Sequence, residues 1–300
     1  MPERRNLSPN DTMTSARRAR SLSCGHAAIS RRRALPDLAA LEESVSRRPE
    51  TVLAVGAHPD DIDATAGGSL ALWARGGSRV CYCVVTDGGA GGSDPSVGRE
   101  DMCRLRRAEQ VAAAQDIGAE EVVFLGFSDG DLNVTTELRQ ELARVIRRFR
   151  PDRVVCQSPE RLWYGPVQTD HPDHLAVGEA VLCAVYPDAR NLVAHPDLRR
   201  DGLAPHHVTD VWVVGAEQVD VVVDITDAID QKVAAFKRHS SQLPDGPVVA
   251  QQQVLAAAEH VARLHGLGRG RFGEEFGVRV TRERHSASPV QHPRLGSEVT

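Results

Sequence analysis

A chain of 300 residues, 41% hydrophobic and 26% charged, can bury a large core and has the composition of an ordinary globular protein. Its net charge of -5 argues against a general nucleic-acid binder, and no apolar run approaches the roughly 18 residues of a membrane span. No apolar segment follows the N-terminal arginines and the six cysteines form no C-x-x-C pair, so the expectation is a cytoplasmic protein without a secretory leader, its thiols reduced.

Residues 1–48 read as a disordered Arg-rich extension, with Arg4, Arg5, Arg17, Arg18, Arg20 and Arg31 to Arg33 punctuating Ser, Pro and Asn. One short helix is predicted within it, over 38–46. A single domain is predicted over 49–283, and 284–300 reads as a flexible tail. The apolar run 51–57 predicts a buried strand. A helix follows over 65–75, closed by Gly76-Gly77, then a strand over 79–86 and a Gly-rich loop over 87–98. The pattern continues with a helix over 99–117, a strand over 121–127, a helix over 135–149 stopped by Pro151, and a strand over 152–157. After a long loop come a helix over 173–185, strands over 211–214 and 219–223, and helices over 228–240 and 248–265. Strands alternating with helices predict an α/β fold: a Rossmann-like three-layer sandwich around a mostly parallel sheet. Ligands in such folds sit beyond the C-terminal strand ends.

Two motifs fall at that end. His58-Pro59-Asp60-Asp61 directly follows the first strand. Like charges crowded there are costly unless a cation sits among them. Pro59 enforces a turn that can aim His58 and Asp61 at one point and leave Asp60 beside it. Imidazole with carboxylate suits zinc, and the free carboxylate can act on an activated water. A helix-capping cluster is the competing reading. The second motif is Thr169-Asp170-His171-Pro172-Asp173-His174, in the long loop after the fourth strand. His174 can supply the third ligand of an open catalytic site. His171 would stand beside it as an acid or oxyanion stabiliser, with Asp173 orienting its ring. A surface turn with a helix cap competes here too. Two His-Pro-Asp segments at one end of one sheet favour the catalytic reading.

These motifs resemble the PIG-L/LmbE family of zinc-dependent N-acetylglucosaminyl deacetylases and related amidases, over roughly 52–280. Both signature segments are intact. Weaker matches, in the family's order, are Gly67-Gly68, Val85-Thr86-Asp87-Gly88, Arg106-Arg107-Ala108-Glu109, Arg150-Pro151-Asp152, His239-Ser240-Ser241-Gln242 and Glu274-Glu275-Phe276-Gly277-Val278. The chain departs in having Ile62 and Asp63 where many members carry Glu, and Thr169 where some carry Tyr. The resemblance implies zinc held by His58, Asp61 and His174, with Asp60 as general base, His171 stabilising the oxyanion and Asp173 orienting His171. It implies hydrolysis of an N-acyl group, in the first place N-acetyl, from an amino sugar or related glycoconjugate. Two His and one Asp also suit another divalent metal such as Fe2+.

Alternative readings are an amidase of a larger thiol or antibiotic conjugate, and a nucleotide or small-molecule binding protein using Gly88 to Gly92. The latter stretch does not fit G-x-G-x-x-G and follows the second strand, not the first. Arg106 and Glu109, one helical turn apart on the helix after the Gly-rich loop, read as an ion pair, or either could face the crevice. Asp87 reads as a turn residue, or as a contact to a sugar hydroxyl or a metal-ligand histidine. No partner other than a small N-acylated substrate is implied, and the oligomeric state is not encoded in these residues.

Overall fold

The computed structural model describes residues 27–29, 35–92, 94–163 and 170–281. In chain order, β1 (Ala27–Ile29) and α1 (Leu35–Ser46) precede β2 (Thr51–Gly56), α2 (Asp61–Arg75), β3 (Arg79–Thr86) and α3 (Arg99–Ile117). Next come β4 (Glu121–Phe127), α4 (Thr136–Phe149), β5 (Arg153–Gln157), α5 (Pro172–Cys183), α6 (Pro196–Arg200) and β6 (Asp210–Val214). The described part closes with β7 (Val221–Asp224), α7 (Ile229–Lys237), α8 (Gly246–Leu264) and β8 (Gly273–Val280).

The eight strands of the described residues join one sheet in the order β1-β7-β8-β6-β5-β2-β3-β4. Strands β4-β3-β2-β5-β6 are parallel, and β8, β7 and β1 extend the sheet by antiparallel pairing. This confirms the predicted mostly parallel α/β sandwich. Strand β2 shows why it is central. Val52, Leu53, Ala54 and Val55 are all buried, because alternate side chains face opposite cores. Val52 and Ala54 pack with residues of α2, α3, α7 and α8, while Leu53 and Val55 pack with residues of α4 and α5. Helix α4 presents Leu138, Leu142, Val145, Ile146 and Phe149 at helical spacing. The Thr135 side chain caps it, accepting from Leu138 N at 3.1 Å.

Three expectations need correction. Residues 38–48, assigned above to the extension, belong in part to the folded body: Leu41 and Val45 of α1 are buried, and Ser44 Oγ donates to Asp210 Oδ2 at 2.7 Å. The rest of the Arg-rich segment, apart from β1, lies outside the described residues or gives no side-chain detail, as does the tail 284–300. Helix α2 starts at Asp61, a full turn earlier than predicted, so the acids of the first motif sit on a helix start. Strand β8 carried no predicted element, because Glu274, Glu275 and Arg279 interrupt its apolar pattern. Glu274 is nonetheless buried, paired with Lys232 Nζ at 2.6 Å.

Cys81, Cys83 and Cys156 are buried and free, and burial pushes the thiols of Cys83 and Cys156 up to about 12. No helix among the described residues is long and apolar enough to cross a membrane. The functional end of the sheet lies between β2 and β5, where connections depart in opposite directions and leave a crevice. Across it, Ala57 N donates to Gln157 Oε1 at 2.9 Å, tying the two strand ends together.

Candidate metal centre

The first motif forms a tight turn from β2 into α2. Gly56 permits the reversal, since an added Cβ would lie 2.9 Å from Ile62 Cγ1. Asp60 takes φ 106, a conformation rare outside glycine. His58 N donates to Asp61 Oδ2 at 2.7 Å, and Asp61 opens the helix, where a carboxylate favours the dipole. The second motif starts α5. His171 is its N-cap, with Pro172 at the first helical position. One turn further, His174 faces the first motif.

The two turns bring three donors together. His58 Nδ1 lies 3.3 Å from Asp61 Oδ2 and 3.2 Å from His174 Nε2, and His174 Nε2 lies 3.1 Å from Asp61 Oδ1. Donors of these types, each about 2.0–2.2 Å from one ion at near-tetrahedral angles, are separated by about 3.3–3.6 Å. The His58–His174 edge is close to that spacing, while the two Asp61 edges run to different carboxylate oxygens. His58 with His171 and His174, or with Asp129 and Asp173, also brings three possible ligand atoms within 4.8 Å of one another. Two ring nitrogens face each other here, and one shared proton or one cation must reconcile their lone pairs.

The other face of the His58 ring is held by two carboxylates. Nε2 lies 3.1 Å from Asp173 Oδ2 and 3.2 Å from Asp129 Oδ1. They accept the Nε2 proton and leave the Nδ1 lone pair toward the centre, the arrangement that orients metal-binding imidazoles. Burial alone would lower the His58 pKa, but Asp129, Asp173 and Asp61 outweigh it and push it up to about 12. Despite burial, His174 and His58 hold Asp61 well below the usual carboxylate range. Asp60 goes the other way, to about 6, because burial and the Asp61 charge outweigh Arg106.

His171 joins the same cluster, its ring edge-on to His58 with centroids 4.8 Å apart. Its Nδ1 accepts from Asp173 N at 3.2 Å, so the neutral ring carries its proton on Nε2. Burial, with His58 and His174 nearby, lowers its pKa and keeps it neutral. The Asp173 carboxylate, expected to orient His171, makes its hydrogen bonds elsewhere. That carboxylate accepts from Gly130 N and Leu132 N at 2.8 and 3.1 Å and contacts His58. The hydrogen bond to His171 comes from the Asp173 backbone, while the carboxylate acts on that ring through its charge alone.

Of the six sequence-predicted site residues, His58, Asp61, His171, Asp173 and His174 form one cluster, with Asp60 next to Asp61 in the same turn and beside Arg106. Asp129 was missed. It follows β4 in Ser128-Asp129-Gly130, and an acid directly after a parallel strand at the same rim was the available signal. The predicted Arg106–Glu109 pair is not made. Arg106 donates to Pro59 O at 2.7 Å and Gly88 O at 2.9 Å, with Asp60 Oδ2 at 3.5 Å and Asp129 Oδ2 at 3.6 Å. Glu109 accepts instead from Ser240 and Ser241. Asp87 is a turn residue, accepting from Gly89 N, Asp129 N and Arg99. Asp63 and His239 are buried behind the centre, paired at 3.0 Å. Thr169 and Tyr164 lie outside the described residues.

Helix α5 approaches β5 closely at Gly178, where an added Cβ would fall 2.6 Å from Gln157 O and Pro159 N. Backbone cannot yield cheaply there, so Gly178→Ala is expected to shift α5 with His171 and His174. Stability should fall by about 1–3 kcal/mol, the usual cost of overpacking. Thermal unfolding and zinc titration check this: an unchanged Tm and unchanged affinity would show that the helix has slack.

A profile of the PIG-L family, described as GlcNAc-PI de-N-acetylase, matches residues 53–185. The chain is 32% identical over 200 residues to diacetylchitobiose deacetylase of Thermococcus kodakarensis, covering 65% of this chain and 70% of that one. It is 30% identical over 196 residues to probable N-acetyl-alpha-D-glucosaminyl L-malate deacetylase 2 of Bacillus cereus, covering 64% and 83%. Among solved structures, N,N'-diacetylchitobiose deacetylase from Pyrococcus horikoshii aligns with a TM-score of 0.72 at 25% identity, over 83% of this chain and 94% of that one.

Proposed function

The chain belongs to the PIG-L family, and from that membership we propose a zinc-dependent deacetylase that hydrolyses the amide of a small N-acylated, chiefly N-acetylated, amino sugar or related glycoconjugate. The observation that carries this reading is the triangle of His58, Asp61 and His174, with Asp60 and His171 on its margin. Zinc, when bound, supplies a Lewis acid and brings the pKa of a water to about 7.

The remaining chemistry belongs to side chains. Asp60, unligated and held by Arg106, takes the proton of the attacking water as general base. His171, with Nδ1 occupied by the Asp173 backbone, offers Nε2–H to the acyl oxygen as negative charge develops there. Asp129 and Asp173 hold the His58 ring in the tautomer that donates through Nδ1. The amine leaves protonated, receiving the proton that Asp60 took from the water, since neutral His171 carries a single proton and its loss would leave an imidazolate. The free described cysteines fit work in the reducing cytoplasm.

Metal content and acetate release from N-acetylglucosamine-type substrates, measured on wild type beside His58→Ala, test the reading. About one zinc per chain is expected in wild type, lost in the variant together with activity. Wild type that takes up no zinc from solution would overturn it.

A further inference from the structure

Behind the metal centre lies a buried polar chain that the reaction itself does not use. Asp63, Tyr82, Gln110 and His239 are each fully buried. The Asp63 carboxylate accepts from Tyr82 OH at 3.0 Å, from Gln110 Nε2 at 2.6 Å and from His239 Nε2 at 3.0 Å. The other end of the Gln110 amide faces the active site, where Oε1 accepts from Asp60 N at 3.0 Å. A carboxylate only accepts, so only one amide orientation satisfies both contacts: NH2 toward Asp63, oxygen toward Asp60.

Asp60 needs such a hold. Its φ of 106 is strained for a residue with a side chain, and strain persists only where the surroundings over-determine it. The chain also has a stability cost. His239 Nδ1 is buried with no hydrogen-bond partner among the described residues. An orphaned buried polar atom is destabilising, a cost that an apolar residue would avoid. The turn carrying His239 is braced elsewhere, by Ser240 and Ser241 on Glu109 and by Gln242 Oε1, which accepts from Gly92 N at 3.1 Å.

We infer that His239, Asp63 and Gln110 are positioning residues for Asp60: the chain fixes the Gln110 amide, which fixes the Asp60 backbone and so aims its carboxylate. The inference rests on Asp60 being the general base. It separates two histidines by role, His171 touching substrate and His239 acting through two intermediates.

Zinc-loaded full-length His239→Leu, His239→Gln and Gln110→Leu are compared with wild type for kcat, KM, zinc content and hydrogen exchange of the Asp60 amide by NMR. Gln110→Leu and His239→Leu are expected to lower kcat about 10–100-fold, the scale of a misplaced catalytic group, with KM and zinc unchanged. In both, the Asp60 amide should exchange faster than in wild type. His239→Gln keeps a donor near the Nε2 position and is expected to recover most of kcat and of the protection. Wild-type kcat and Asp60 protection in His239→Leu would overturn the inference. So would equal losses in His239→Leu and His239→Gln accompanied by loss of zinc, which would mark the chain as general support. Exchange of the Asp60 amide is read without turnover. An inactive wild type would therefore sink the deacetylase reading, while the exchange result still decides the positioning chain.

Discussion

Asp60→Asn is expected to keep its metal and lose about 10²–10⁴-fold in kcat, the usual contribution of a positioned general base. Asparagine is the informative replacement. It is nearly the same size, and it tolerates the positive φ of 106 that this position demands. The three proposed metal donors, His58, Asp61 and His174, are untouched. What disappears is the ability to take a proton. Zinc content, kcat and KM on one preparation decide the matter. Retained zinc with kcat within about threefold of wild type would remove Asp60 from the role of base. Loss of zinc would make it a ligand and would move the base elsewhere.

The sequence carried much of the parallel core because its signals are local. Strands β3 and β4 and helix α3 match their predicted bounds, and Gly118 ends α3 in the left-handed conformation with φ 87. The two His-Pro-Asp motifs were legible for the same reason: each proline makes a turn whose consequence is confined to its neighbours. The start of α2 was harder to see. Three acids within four residues look like loop, and the helix begins there because Asp60 bends the chain one residue before it. Arg106, Glu109 and Asp129 were misread or missed because their partners lie far away in sequence. Glu109 is 131 residues from Ser240, and Asp129 meets His58 only through the parallel pairing of β2, β3 and β4. Spacing along a helix suggested a pair between Arg106 and Glu109, but two backbone carbonyls and two serines proved better partners.

Asp173→Ala separates the role implied by sequence from the one implied by geometry. Were the carboxylate to orient His171, its loss would lower kcat and leave zinc affinity alone. Its contacts lead elsewhere: it is fully buried and accepts from Gly130 N, Leu132 N and the His58 ring. Removing it orphans the buried Leu132 N–H, at about 1–3 kcal/mol, and frees the Gly130 N–H, which lies at an exposed residue. His58 would then keep only Asp129 to fix its tautomer. The expected result is a loss of stability together with a fall of about 10–100-fold in zinc affinity, as for other carboxylates behind a metal-binding histidine. Asp173→Asn, with one acceptor oxygen in place of two, should fall between. Because the metal binds the folded state and stabilises it, excess zinc should recover part of the lost Tm in both variants. Zinc titration with thermal unfolding, with and without chelator, reads both quantities. An Asp173→Ala protein that binds zinc as tightly as wild type and loses only kcat would return this carboxylate to His171 and leave Asp129 as the group that holds His58.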